Sequence, residues 1–492
     1  MKEANKQPSN LKMMACGWLK RSGHPHVIVD VKYVKEAKQL KVAVTQKGFE
    51  GIKQTLDAEE KGGPWDIGFD FKSPWMFPIE WAAVKDGKDL QKGLFIMDKA
   101  NTTITLENVT EEPDFFSFAR GFSYFGTYQI KSATAKTLAL QASTDTDLAN
   151  RFLSYRAIAN AEKISLVEKA AAKAATTESD GKEGGPKHQQ QLLTTKDVSP
   201  EYIKAHLAIL FDEKLEGTAR SLICMESESV ERKPQIAHRY WLISEAKTTM
   251  LAATYQACES KICSLFDKLE AKNESGALKN QLHDRALKGH CLRLMVAAAK
   301  YNEKTKQAAI SRAKALISSA FMTDRTRGVM YYLQLAEAQE RDSTMEELKK
   351  SWGSNMDATE ELIGVISSLD SDDAPKIIAA LIKDPIFNIN LAGHARRVVR
   401  NWAANRKRSV LSDEGLKLTE LLLVTVGKVN QMSAYALLDA FGDIKKFSDE
   451  QKAKALKCLE GARGKLDPKA ETSLYNQIGR LLASCKQFNT SG

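Results

Sequence analysis

Eight histidines and seven cysteines are the residues of this chain best suited to metal ligation or nucleophilic chemistry, and their spacing excludes most of it. Among His24, His26, His188, His206, His238, His283, His290 and His394, no two flank a glutamate as H-E-x-x-H. That pattern sets two imidazoles on one helix face with a general base between them, so a zincin centre is absent from these residues. His290 beside Cys291, and Cys258 with Cys263, fall outside any paired C-x-x-C arrangement, and we read them as cysteines packed in helices. No phosphate-binding Gly-Lys-Ser/Thr loop, G-x-G-x-x-G turn or G-x-S-x-G elbow occurs. The sequence therefore assigns no catalytic residue, no metal ligand and no cofactor. One charge feature stands out: Arg396, Arg397, Arg400, Arg406, Lys407 and Arg408 follow His394, with no acid between Asp384 and Asp413. A basic helix can bind phosphates. Here Val398, Val399 and Trp402 sit at core-facing spacing and no exposed aromatics interleave, so we read a solvated helix face and disfavour nucleic acid as a partner.

The elements that must carry these residues begin with composition. A chain of 492 residues suggests about three domains. Its 43% hydrophobic and 27% charged residues are those of a globular protein with ample core. The formal charge of +10 permits an acidic partner but is too thinly spread to identify one. An odd cysteine count suits a reducing compartment, so cytoplasmic localisation is expected. The first thirty residues lack a continuous apolar core, and no run approaches the roughly 18 apolar residues of a membrane span. No membrane is expected.

Leu11, Met14, Ala15, Trp18 and Leu19 recur at helical spacing, and Gly23 ends that helix by taking backbone angles other residues avoid. Pro25 disfavours helix for His24. From Val27 the period becomes two: Val27, Val29, Val31 and Tyr33 alternate with polar or outward residues, and Leu40, Val42 and Val44 repeat the pattern as a hairpin partner. Gly62, Gly63 and Pro64 break the chain. Trp75, Phe77, Ile79 and Trp81 lead into a strand closed by Asp86-Gly87, and Leu90, Leu94, Ile104, Leu106, Phe116 and Phe118 continue the rhythm. Residues 26–142 thus predict a small antiparallel, immunoglobulin-like β-sandwich, its aromatics serving as core rather than as a stacking platform.

From Asp145 the period is 3.6. Asp145 and Asp147 cap a helix carrying Leu148, Phe152, Tyr155 and Ile158, and a second helical pattern runs through Ile164 and Val167. Ala174 to Gln191 lack large apolar residues and read as a flexible insertion. Beyond Pro200 come helices with short connections, stopped at Gly276, Gly353 and Gly442, one of them starting at Asp372-Asp373-Ala374-Pro375. Residues 143–492 predict an all-α superhelical domain of armadillo/HEAT-like helix pairs without a strict repeat period.

Local motifs then add a resemblance. Trp18 to Pro25 is similar to a W-x-x-x-S-G-T-P junction with His24 for threonine. Glu107-Asn108-Val109, Arg120-Gly121-Phe122-Ser123, and Asp145, Asp147, Asn150 and Arg151 resemble E-N-V, R-G-F-S and D-S-D-x-x-N-R-W. Leu210 to Leu215 resembles L-L-D-E-K-L, Cys291-Leu292-Arg293 resembles C-L-R, and Met322-Thr323-Asp324 resembles N-M-T-D without its asparagine. In order and spacing these resemble the C-terminal half of the aminopeptidase N family of zinc exopeptidases, in its alanyl-aminopeptidase branch.

The resemblance implies that residues 1–25 are the tail of a catalytic domain that this chain lacks, and that zinc belongs only to that domain. It implies that Arg396 faces the substrate entrance, with Trp402 near a family aromatic position. The position of the family's second entrance arginine is held here by Ala436, so that arginine is lost. It also implies that the helix bearing Met14, Trp18 and Leu19 lost its neighbours and docks on this protein's own body or on a partner. The reading that follows is a non-catalytic aminopeptidase-like scaffold with a protein partner, which is a catalytic aminopeptidase chain or a larger assembly. Two alternatives stay open. One is the C-terminal part of a zinc alanyl aminopeptidase, with its catalytic domain on a separate chain or lost by truncation. The other is a nucleic-acid-binding solenoid.

Overall fold

The computed structural model describes residues 8–19, 21, 23–48, 73–178, 192–225, 239–271 and 278–486. They form two compact units, Met1–Ala159 with Pro200–Asp212, and Asn160–Ser199 with Glu213–Gly492. A small β-sandwich is followed in sequence by an all-helical, ARM-like repeat region.

The first unit opens with α1 (Pro8–Leu19). Gly23, at φ +89°, supplies the left-handed step after it. The strands are β1 (Pro25–Val34), β2 (Gln39–Gly48), β3 (Phe77–Lys85), β4 (Lys88–Met97), β5 (Asn101–Leu106), β6 (Phe115–Phe118) and β7 (Thr127–Ile130). One sheet runs β5-β2-β1-β7 and the other β4-β3-β6. In the β1–β2 ladder Val29 pairs with Val44, Val31 with Val42 and Tyr33 with Leu40, which stacks the alternating apolar residues on one face. That face meets Phe77, Ile79, Phe116 and Phe118 of the other sheet in one core. Asp86 and Gly87 both take positive φ, the two-residue turn whose twist matches the flanking strands. The pairing is antiparallel except between β1 and β7, which run parallel. Trp75, Phe77 and Trp81 are buried, so the aromatics are core.

Helix appears earlier than the sequence suggested: α2 spans Ala135–Thr144. Thr134 and Thr137 form a reciprocal capping box, a local signal that outweighs the sparse apolar pattern there. The two helical patterns after Asp147 are one continuous 31-residue helix, α3 (Leu148–Glu178). Residues 174–178, expected to be flexible, close this helix. An alanine-rich run from Ala170 has the best helix propensity, and Lys173 Nζ reaches Asp197 Oδ2 at 3.0 Å. The rest of that expected insertion lies outside the described residues, as do Gly62, Gly63, Pro64 and Gly276. Next in the chain come α4 (Pro200–Leu210), α5 (Gly217–Ile223), α6 (Tyr240–Ala257), α7 (Glu259–Ala271) and α8 (Leu278–Ala299).

Five helices follow with short connections: α9 (Glu303–Ile317), α10 (Met322–Leu335), α11 (Ala338–Trp352), α12 (Met356–Ser367) and α13 (Ala374–Leu381). The described chain ends with α14 (Ala392–Ala404), α15 (Arg406–Ser409), α16 (Asp413–Val429), α17 (Gln431–Leu438), α18 (Asp449–Gly464) and α19 (Thr472–Lys486). Several begin on side-chain caps: Asn302, Asn355, Ser412, Asn430 and Ser448 each accept a backbone N–H from the first turn. Pro375 sits in the first turn of α13. Gly353 closes α11, and Gly442 closes a short 3-10 turn.

Candidate functional site

In the first unit, Ala119, Gly121 and Phe122 all adopt left-handed angles, and this twist turns Arg120 inward. Its guanidinium forks onto Asp89, with Nη1 to Oδ2 at 2.8 Å and Nη2 to Oδ1 at 3.0 Å. Nη2 also reaches Asp145 Oδ1 at 3.0 Å, and Nε donates to Ser117 Oγ at 2.9 Å. The Arg120 hydrogen bond, opposed by burial, holds the Asp89 carboxyl below its ordinary range. Asp147 accepts from the backbone of Gly121 and of Asn150, and so caps α3. Asn150 Nδ2 donates to Ser117 Oγ and to the Phe118 carbonyl, while the Tyr128 hydroxyl donates to Asn150 Oδ1. Burial, with Asp145 and Asp147 nearby, pushes the Tyr128 phenol up. Arg151 Nη1 pairs with Asp212 at 2.8 Å. Arg120, Asp145, Asp147, Asn150 and Arg151, seen in the sequence as separate motifs, are thus one polar joint fastening β6 to α2 and α3. A cleft of about 480 Å³ opens beside it, lined by Glu80, Trp81, Lys92, Leu94, Arg120 and Asp147. Arg120 and Asp147 spend their bonds within the joint, so its chemistry is structural.

Of the three anchors expected on α1, Trp18 lies on the sandwich. Its ring centroid is 4.8 Å from Trp75 and 6.3 Å from Phe77, and Nε1 donates to the Met76 carbonyl at 2.9 Å. Met14 is half-buried. Leu19 is 76% exposed, as are Leu11 at 71% and Phe125 at 74%, the last only 6.5 Å from the Trp18 ring. One indole therefore fixes α1 while its flanks present apolar surface.

In the second unit, Val398, Val399 and Trp402 are fully buried, and Trp402 Nε1 donates to Thr419 Oγ1 at 2.9 Å. The basic stretch around them is largely neutralised. Arg397 pairs with Glu361, Arg406 with Asp443 at 2.6 Å, Lys407 with Asp370 at 3.5 Å, and Arg408 with Asp370 at 2.6 Å and with Asp372. Burial opposes ionisation of Asp370, but Lys407 and Arg408 outweigh it and hold the carboxyl below its ordinary range. Arg396 and Arg400 are exposed, and among the described residues neither makes an ion pair. Ala436 is half-buried on α17. Burial, with Arg293 adding to it, drives His290 down to about 3, and burial pushes the Cys291 thiol up to about 12. Cys263 Sγ lies 3.3 Å from the Tyr255 hydroxyl. Pattern reading missed the charges buried deepest. Lys288, itself inside α8, pairs with Asp324 at 2.6 Å and with Glu270. The only trace in the sequence was the Met322-Thr323-Asp324 motif.

Residues 135–479 match the model of a family described as "Domain of unknown function (DUF3458_C) ARM repeats". The chain belongs to this ARM-repeat family. No curated protein matches it. Among solved structures it is similar to aminopeptidase A of Legionella pneumophila, crystallised in complex with aspartic acid. The TM-score is 0.67 at 17% identity, over 94% of this chain and 49% of that one. The chain thus spans about half the length of that relative, and at this identity the likeness is one of fold. The ARM-repeat match starts at α2, so it takes in Asp145, Asp147, Asn150 and Arg151 of the joint together with the whole basic stretch.

Proposed function

We propose that these residues form the non-catalytic part of an aminopeptidase-N-like protein and act as a protein-interaction scaffold in the cytoplasm. The reading takes no zinc or other cofactor within the chain, and a protein rather than a membrane or nucleic acid as partner. The observation that carries it is the surface of α1. Trp18 is committed to the sandwich, yet Leu11, Leu19 and Phe125 stand in solvent around it. Large apolar side chains grouped at a surface supply most of the contact energy in a protein interface. The aminopeptidase-like fold supports the same reading, because the sandwich and ARM repeats supply walls rather than reacting groups.

Arg396 favours a second reading, in which the chain completes a zinc alanyl aminopeptidase whose catalytic domain is supplied elsewhere. It remains exposed without a carboxylate while Arg397, Arg406 and Arg408 are neutralised, which leaves it available to a substrate path. That same neutralisation weakens the nucleic-acid reading. Affinity purification from native cells with mass spectrometry, combined with zinc analysis and an aminoacyl-amide hydrolysis assay, separates these readings. The scaffold reading expects a stoichiometric protein partner, with neither zinc nor turnover in the isolated chain. Recovery of a stoichiometric zinc peptidase overturns it in favour of the second, and recovery of a lone monomer counts against both.

A further inference from the structure

The two sheets of the sandwich have four edge strands, β5 and β7 in one and β4 and β6 in the other. An edge strand offers a row of backbone N–H and C=O groups to any passing strand, and a stable protein blunts it by making it short or polar. β6 and β7 have only four residues each. β5 turns Asn101, Thr103 and Thr105 to solvent. β4 has neither protection: it is ten residues long, and Leu94, 57% exposed, and Ile96, 52% exposed, stand on its solvent side. Among the described residues, β3 alone pairs with it.

A local irregularity sets the limits of this open edge. The register against β3 shifts between Ala83 and Val84, so Leu90 has no partner there and the strand bulges. Gln91 to Met97 stay in regular register with Ala83 to Phe77. That stretch holds one charge, Lys92, and no proline, which is the composition of a segment prone to pair with its own kind.

Side chains alternate along it, so Lys92, Leu94 and Ile96 share the solvent face and Gln91, Gly93, Phe95 and Met97 the inner one. An antiparallel partner strand opposes residues of like face, and this leaves few ways for two copies to pair. Centred on Lys92, they would set lysine against lysine. Centred on Gly93, or nearer either end, they would pair only part of the regular stretch. Centred on Leu94, the whole stretch pairs and stops at the bulge on both sides. Leu94 then meets the second copy's Leu94, Lys92 its Ile96, Gly93 its Phe95 and Gln91 its Met97. No like charges are opposed, and each Phe95 ring covers a glycine across the ladder. Gly93 has no room for a side chain of its own, because a Cβ there would lie 2.9 Å from Trp81 Cζ2.

We propose that β4 is a self-association edge, through which two copies of this chain pair antiparallel about a two-fold axis at Leu94 and join their β4-β3-β6 sheets into one continuous sheet. Such an interface uses the same patch on both copies and closes at a dimer. Main-chain hydrogen bonds supply its affinity, and the alternating side chains supply its register.

Sedimentation velocity of the full chain, from low to high micromolar concentration, tests the assignment. The expected result is a reversible equilibrium between the 54.6 kDa chain and its dimer. Residue 94 opposes itself in this register, so Leu94→Lys and Leu94→Glu should each weaken dimerisation by roughly tenfold or more. An equimolar mixture of the two variants should regain it as a heterodimer. Both substitutions fall at an exposed position, and far-ultraviolet circular dichroism checks that each variant keeps the fold. A parent chain that stays monomeric overturns the proposal and leaves the edge to a strand from another protein. A dimer that neither variant weakens, or a loss that the mixture does not repair, places the interface elsewhere and overturns it as well.

Discussion

Arg397, Arg406 and Arg408 each meet a carboxylate brought in from another segment, whereas Arg285, Arg325 and Arg327 spend their hydrogen bonds on carbonyls and one amide side chain. The first group is conspicuous in the sequence because its members fall within one stretch that holds no acid. It is electrostatically quiet in the structure because Glu361, Asp370, Asp372 and Asp443 come to it. The second group is inconspicuous, being split between two helices, and it carries unbalanced charge. A run of like charge in one dimension thus says little about the local field in three, since matching acids are recruited from distant turns.

Removing a matched, buried arginine should have the largest effect. Arg120→Met leaves the fully buried Asp145 carboxylate without a cation and Asp89 with only the distant Lys92, and should cost about 3–5 kcal/mol of stability by denaturant unfolding. Arg285→Met should stay within about 1 kcal/mol of the parent, because the lost contact with the Phe321 ring is offset by the relief of an unpaired buried cation. Equal losses at the two positions would erase the distinction between matched and unmatched arginines.

A smaller effect is expected at Arg408. The folded Asp370 carboxyl titrates below its ordinary value of 3.8, so its contribution is fully present above that value and is lost as pH falls through the lower, folded one. Arg408→Ala should lower stability at pH 7, where that contribution is fully present, and approach the parent in strong acid, so the acid limb of the stability curve flattens. An unchanged acid limb would show that Lys407 alone sustains the shift.

The smallest effect belongs to Arg396 and Arg400. Replacing both by alanine should move stability by no more than about 0.5 kcal/mol. Salt-sensitive binding of single-stranded RNA that disappears in this double variant would break the comparison, by showing that the exposed remainder of the basic stretch is a nucleic-acid surface.

Much of the fold was legible because it rests on local rules. Val27, Val29, Val42 and Val44 announce a two-sided ladder, Asp86-Gly87 its tight turn, and Asp373-Ala374-Pro375 a helix start. What failed was also local but depended on weaker signals. The Thr134–Thr137 capping box starts α2 without an apolar stripe to advertise it, and the alanines from Ala170 carry α3 on propensity where a search for large side chains finds nothing. The candidate sites were less legible still. That Trp18 is an anchor could be read from its size. That Arg285 lacks an acid is a statement about everything around it in space, and no spacing along one helix contains it. The joint at Arg120 lies between these extremes: its residues were visible as motifs, but their bonds join segments up to 61 residues apart, through side chains and backbone groups together.

The contact between Trp18 and Trp75 gives α1 an optical identity of its own. Two indoles 4.8 Å apart and tilted by 50° are close enough to couple their electronic transitions, so the pair should show an ultraviolet dichroic couplet that neither ring has alone. Because one of the rings sits on the helix and the other on the sandwich, lifting α1 away extinguishes that couplet while the amide spectrum of the remaining helices stays as it was. The first event in any exchange of α1 between its own body and a partner therefore has a spectroscopic signature separate from unfolding, readable on the unlabelled protein.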